Sequence, residues 1–207
     1  MKRDMFRKAS FSLMAGAALL LMAAQAADAA DKVRMSGMVE SVDGDNFNLK
    51  TTDGKEVMVM MAPSLSLMGI KKAGVSDIKP GDFIGVGSQP TANGINGAVQ
   101  VVIFPASMKG TGEGDRAWGV RPNGQMTNAT VKEASQDANG PLLTLAYNGG
   151  ERKVNIPADT TILAIASATK DDLKAGTAVT VQGTDAGGGM ISADNVRVGL
   201  AGAIPPK

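Results

Sequence analysis

Histidine and cysteine are both missing from the 207-residue chain. The first absence removes the commonest general base, the commonest metal ligand and every Ser–His or Cys–His nucleophile pair. The second removes thiolate chemistry, disulfides and any lipid-acceptor cysteine. Aromatic residues make up 3% of the chain. Beyond residue 30 they are Phe47, Phe83, Phe104, Trp118 and Tyr147, so a core has to be built from Val, Ile, Leu, Ala and Met. Charge of one sign is also lacking: past residue 30, 17 Lys and Arg stand against 18 Asp and Glu. A neutral balance with few stacking platforms argues against nucleic acid as a partner. No apolar run reaches the ~20 residues of a membrane-spanning helix.

The longest apolar run, Phe11 to Ala24, follows a basic stretch of Lys2, Arg3, Arg7 and Lys8. Small residues come next, as Ala24-Gln25-Ala26 and Ala27-Asp28-Ala29. This is the pattern of a cleaved secretory signal peptide. The expected location is periplasmic or secreted, with no membrane span after cleavage.

What the chain does have is a repeat. Ser76-Asp77-Ile78-Lys79-Pro80-Gly81-Asp82-Phe83-Ile84-Gly85-Val86 returns as Asp171-Asp172-Leu173-Lys174-Ala175-Gly176-Thr177-Ala178-Val179-Thr180-Val181. The offset of 95 residues is too long for a solenoid period. Phe47-Asn48-Leu49-Lys50-Thr51 alternates as a half-buried strand does, and Asp53-Gly54 is a hairpin turn. Glu56 to Met61 returns, and Pro63 is expected to end the pairing. Ser64 to Val75 reads as a short helix or a loop. Ser76-Asp77 is expected to cap one helical turn, and Lys79-Pro80-Gly81-Asp82 to turn the chain into Phe83 to Val86. Leu143 to Tyr147, the Asn148-Gly149-Gly150 turn and Arg152 to Ile156 repeat the plan. Short strands with frequent turns indicate small barrels, preferred because closure removes edge strands; the competing form is an open meander that closes only by packing on its twin. The expected fold is all-β: two tandem small OB-like β-barrels joined by a Gly-rich connector and preceded by a signal peptide helix. The expected boundaries are 1–30 for the signal and cleavage region, 31–104 for the first barrel, 105–126 for the connector, 127–199 for the second barrel and 200–207 for an unstructured tail.

Gly37-Met38-Val39-Glu40-Ser41-Val42-Asp43-Gly44, the Asp53-Gly54-Lys55 hairpin and Asp77-Ile78-Lys79-Pro80-Gly81-Asp82 resemble the bacterial envelope domains of domain-of-unknown-function family 5666. Gly110 to Arg116 and Met126 to Val131 resemble its two-copy subgroup, whose members are sometimes labelled metal transporter permeases. The resemblance implies an OB-like β fold and an envelope location, and brings no activity. The permease label does not fit a chain whose one apolar segment is its signal. The subgroup's histidine near Arg116 is absent, with Asp115 in that region.

Two groups of residues stand out chemically. Gly110, Gly112, Glu113, Gly114, Asp115, Arg116 and Trp118 form a stretch that could bind a ligand or a partner, such as an envelope protein. Its alternating glycines match neither the phosphate-loop nor the dinucleotide pattern, and the stretch is read in preference as a flexible or hairpin-like link with Trp118 pinned against one domain. The second group is Met35, Met38, Met58 and Met60, whose soft thioethers would select Cu(I). Against it stands the ordinary use of Met as core filler. No catalytic constellation emerges. The expected function is therefore non-enzymatic binding or scaffolding, with Cu(I) binding as the alternative.

Overall fold

The computed structural model describes residues 32–92 and 94–206. The expected signal peptide over 1–30, with its helix, and Asn93 of the expected Asn93-Gly94 turn lie outside them. The chain is all-β, with barrel character. The first half supplies β1 (Lys32–Asp43), β2 (Asn46–Thr51), β3 (Glu56–Lys72), β4 (Phe83–Gln89) and β5 (Asn96–Ile103). The second supplies β7 (Gln125–Asp137), β8 (Gly140–Tyr147), β9 (Gly150–Asn155), β10 (Thr161–Ser167), β11 (Ala178–Gly187) and β12 (Met190–Gly199). A short strand in the connector, β6 (Gly114–Ala117), precedes β7.

Alternation decides the faces. In β2, Phe47, Leu49 and Thr51 are buried and the residues between them exposed. In β3, Val59 and Met61 point into the core and Met58 outward, as the two-residue period requires.

Strand pairing corrects the expectation that 31–104 and 127–199 each close on themselves. β1, β2 and β3 form an antiparallel meander. The ring is completed by strands of the other copy, with β11 antiparallel to β1 and β12 parallel to β3. The second ring is the reciprocal. β7, β8 and β9 form the meander, while β4 lies antiparallel to β7 and β5 parallel to β9. Each copy thus gives three strands to one ring and two to the other. The cores follow the same rule. One packs Val39, Phe47, Leu49 and Val59 against Val179, Val181, Val196 and Val198. The other packs Ile84, Val86 and Val101 against Val131, Leu143, Leu145 and Val154.

The exchange has a visible cause in β3. Pro63 does not end it. The strand runs through Pro63 to Lys72, and the proline falls where the register to β12 shifts, between the Met61–Ala193 and Ser66–Asn195 pairs. An irregularity of this kind is where a strand tolerates proline. The expected helix or loop over Ser64 to Val75 is therefore mostly strand. At 17 residues and ~3.3 Å per residue, β3 reaches about 55 Å, beyond the end of its own ring. Its far end pairs with β10, with Lys72 opposite Leu163, Ile70 opposite Ile165 and Met68 opposite Ser167. Ile70 and Ile165 differ by the repeat offset of 95, so a pseudo-two-fold axis passes between them. In the second copy the matching run is divided at Pro157 into β9 and β10.

The repeated turn fastens each copy to the other. The Gly81 N–H donates to the Val131 carbonyl and the Val131 N–H to that of Asp82. At the equivalent point Gly176 donates to Val39, and Val39 to Thr177. Gly81 and Gly176 have φ of +95° and +83°, a conformation glycine adopts without steric cost. The helical turn expected at Ser76-Asp77 is a 3-10 turn over Val75–Asp77, and Asp77 caps it by accepting from the Gly74 N–H at 2.8 Å. Asp172 does the same for Thr169 at 2.8 Å. The tail is also ordered. Leu200–Gly202 form a 3-10 turn, Ala203 is buried, and the Pro206 carbonyl accepts from Thr180 Oγ1 and Arg34 Nη2, each at 3.2 Å.

Candidate functional site

The connector is a hairpin-like link, with Gly114–Ala117 as its strand. β6 pairs with the start of β7, Gly114 opposite Asn128 and Ala117 opposite Gln125. β7 in turn borders β4, so the connector lies against the second ring. Trp118 closes the hairpin, donating its N–H to the Gly124 carbonyl at 2.8 Å.

Alternation splits the connector's side chains. Asp115 accepts from Thr127 Oγ1 at 2.6 Å and pairs with Arg152 at 2.5 Å. Both charged side chains are mostly buried there, where a charge-assisted contact is stronger than at the surface. Glu113 accepts from the Asn148 N–H at 3.0 Å. Gly110, Gly112 and Gly114 all have positive φ and shape the turn that begins the strand. Arg116 and Trp118 instead line a cleft.

That cleft lies outside both cores, across the pseudo-two-fold axis. Its volume is about 450 Å³. Its floor includes Met68 and Ile70 of β3 and Ile165 of β10. One wall is the connector with Phe104 and Met126, and the other is Arg34, Arg197 and Pro206 of the first ring and tail. The room for Trp118 comes from β4. Its Ile84 and Val86 point into the core, and its outward positions are Gly85 and Gly87. A Cβ on Gly87 would stand 2.7 Å from the Trp118 ring, and one on Gly85 would stand 2.8 Å from Asn128 Oδ1. Two glycines in alternation thus leave room for three side chains, the Trp118 indole over Gly87 and Asn128 with Phe104 over Gly85. A second cleft of about 620 Å³ continues past Trp118, lined in part by Lys72, Arg121 and the exposed Val120 and Ile204.

Burial lowers the Arg197 guanidinium pKa from its ordinary value, and the neighbouring Arg34 charge adds to the effect. Burial lowers that of Arg34 as well. Among the described residues no ion pair involves Arg34, Arg116 or Arg197.

The four methionines named from the sequence are not brought together. Met35 packs on the first core. Met38 and Met58 face outward, 46% and 44% exposed, but β2 separates their strands. Met60 shares the outward face of β3 with Met58. The register instead sets Met58 beside Met190 of β12. Among the described residues no group of three or more acidic side chains is placed to hold a metal ion. No helix among them is long and apolar enough to cross a membrane.

Of the connector residues, Arg116 and Trp118 reach the cleft and Glu113 and Asp115 anchor the strand. Arg34, Arg197, Gly85 and Gly87 were missed as site residues. A usable signal existed: the repeat aligns Gly85 and Gly87 with Thr180 and Gln182. No family model, curated protein or solved structure matches this chain.

Proposed function

We propose that the protein is an exported binding or scaffold protein of the bacterial envelope, working without catalysis through the face that the connector builds against β4. The observation that carries this reading is the glycine pair of β4, with Trp118 laid on Gly87 and Phe104 beside Gly85, in a cleft lined by Arg34, Arg116 and Arg197. Conserving a core needs no such pair; its twin positions carry Thr180 and Gln182. Export is supported by the basic, apolar and small-residue order of the first thirty residues. The envelope assignment and the family resemblance rest on the residues that carry them. The test is cell fractionation together with a photo-crosslinking residue at Val120, beside the clefts, and at Val42 as control; both side chains are exposed. The expected result is a processed envelope protein with discrete adducts from position 120 alone. Cytoplasmic retention, or equal labelling from both positions, contradicts the reading.

A second reading is Cu(I) binding through thioethers. It is favoured by the Met58–Met190 pair, with Met60 two residues further on the same face. Titration with the reduced metal should then give stoichiometric binding that is lost in M58L/M190L. No binding at micromolar metal ends this alternative.

A further inference from the structure

The cleft beside Trp118 holds charge of one sign. Arg34, Arg116 and Arg197 line it, and no Asp or Glu is among the described residues that do. Two of these cations have only backbone partners: Arg116 donates to the Gly112 carbonyl at 3.0 Å and Arg34 to that of Pro206. A guanidinium presents five donors in a fixed fork suited to carboxylate or phosphate, so these contacts leave most of its donors free. Arg197 is partly buried, and a partly buried charge is normally paired. Here Arg34 of β1 and Arg197 of β12 flank β11, opposite Gln182 and Thr180, and both line the cleft, so an anion between them would offset their mutual repulsion.

Besides the cations the cleft offers apolar surface from Met68, Ile165, Phe104 and Trp118, with Gln100, Thr111 and Asn128 among them. The two methionines at its edges, Met108 and Met126, add soft, adaptable surface. A volume of about 450 Å³ suits a small molecule. The site has no twin. The repeat sets Arg197 against Val102 and places Met126 where the first copy has Arg34. All four residues meet in this one cleft, with the cations on one wall and the apolar counterparts on the other.

We propose that the cleft binds an amphiphile with a single anionic head, the head held between Arg34 and Arg197 and the apolar body laid along Met68, Ile165 and Trp118. The inference rests on the reading of this face as a binding surface. The head is a carboxylate or a phosphate monoester, which share the fork geometry.

Trp118 is the sole tryptophan of the chain, so its emission reports on the cleft directly. The purified protein is titrated with dodecanoate and with dodecyl phosphate, each below its micelle concentration. Dodecanol and dodecyltrimethylammonium are the neutral and cationic controls. The expected result is saturable binding of at least one anion, at least about tenfold tighter than dodecanol, and none of the cation. The double variant R34Q/R197Q should weaken the anion about tenfold or more and leave dodecanol unchanged. Equal binding of dodecanol, binding of the cation, retention of affinity by the double variant, or no saturable change overturns the proposal. Should the double variant unfold, the comparison of head groups on the unaltered protein decides alone. Adducts at position 120 without anion binding would retire the ligand class and leave the binding-surface reading standing; absence of both retires the two together.

Discussion

The two rings are alike inside and unlike outside. Leu49 and Leu145 fill equivalent core places, and so do Val181 and Val86. The strands that close each ring, β4 with β5 and β11 with β12, share inward positions but not outward ones. Gly85 and Gly87 stand where the other copy has Thr180 and Gln182. What covers them differs too. Thr180 is bonded to the tail at Pro206, whereas Gly87 lies under the Trp118 ring. Duplication kept the packing that every barrel needs and let the outer faces diverge. The divergent face is where a specific role has room to arise.

The comparison is broken most severely in the cores. L49A and L145A should each cost about 2–5 kcal/mol, read from urea unfolding. Because each core contains strands of both copies, both variants should shift one shared transition. Two separable transitions would mean that the rings are independent. Next comes the anchor of the connector. D115N weakens the pair with Arg152, and the loss should be about 1.5–3 kcal/mol. The exposed Lys170–Asp45 pair also joins the two copies, yet K170A should cost no more than about 1 kcal/mol.

Gly87 sharpens the contrast between faces. G87V should displace the indole, destabilise by about 1–3 kcal/mol and shift Trp118 emission. Q182V, at the equivalent place, should change stability by less than about 0.5 kcal/mol and leave emission unaltered. Equal effects would show that Gly87 is not fitted to Trp118.

The smallest effect concerns acid. Asp137 accepts from Asn155 Nδ2 at 3.0 Å and from the Asn139 N–H at 2.7 Å. The Asn155 bond, chiefly, holds its carboxyl below the ordinary carboxylate value. Its contribution to stability is complete above the ordinary pKa and is lost as pH falls through the lowered one. D137N should therefore lower stability slightly in the neutral region and flatten the acid limb, the two stability–pH profiles converging below the lowered pKa.

Much of the fold was legible. The alternation of Phe47, Leu49 and Thr51, the Asp53-Gly54 hairpin and the repeated turn at Gly81 and Gly176 specify local structure through short-range geometry. The exchange of strands was not legible. Val179 and Val181 satisfy an inward-facing strand equally well in either ring, so their pattern carries no information about which copy receives them. The decision lies in β3, where Pro63 sits at a register shift instead of a strand end. The site was half legible. Trp118 and Arg116 stood out by composition and placement. Arg34 and Arg197 sit on strands nearly 160 residues apart, and only the exchange brings them to one cleft. The methionine set was divided for a related reason, since alternation sends Met35 inward and Met38, Met58 and Met60 outward.

Strands of one copy complete the ring of the other. A protease site placed in the Gly119–Asn123 loop, followed by cleavage and native mass spectrometry, tests this directly. The two halves should remain together as one folded particle of the full mass. Release of two separately folded halves would contradict it.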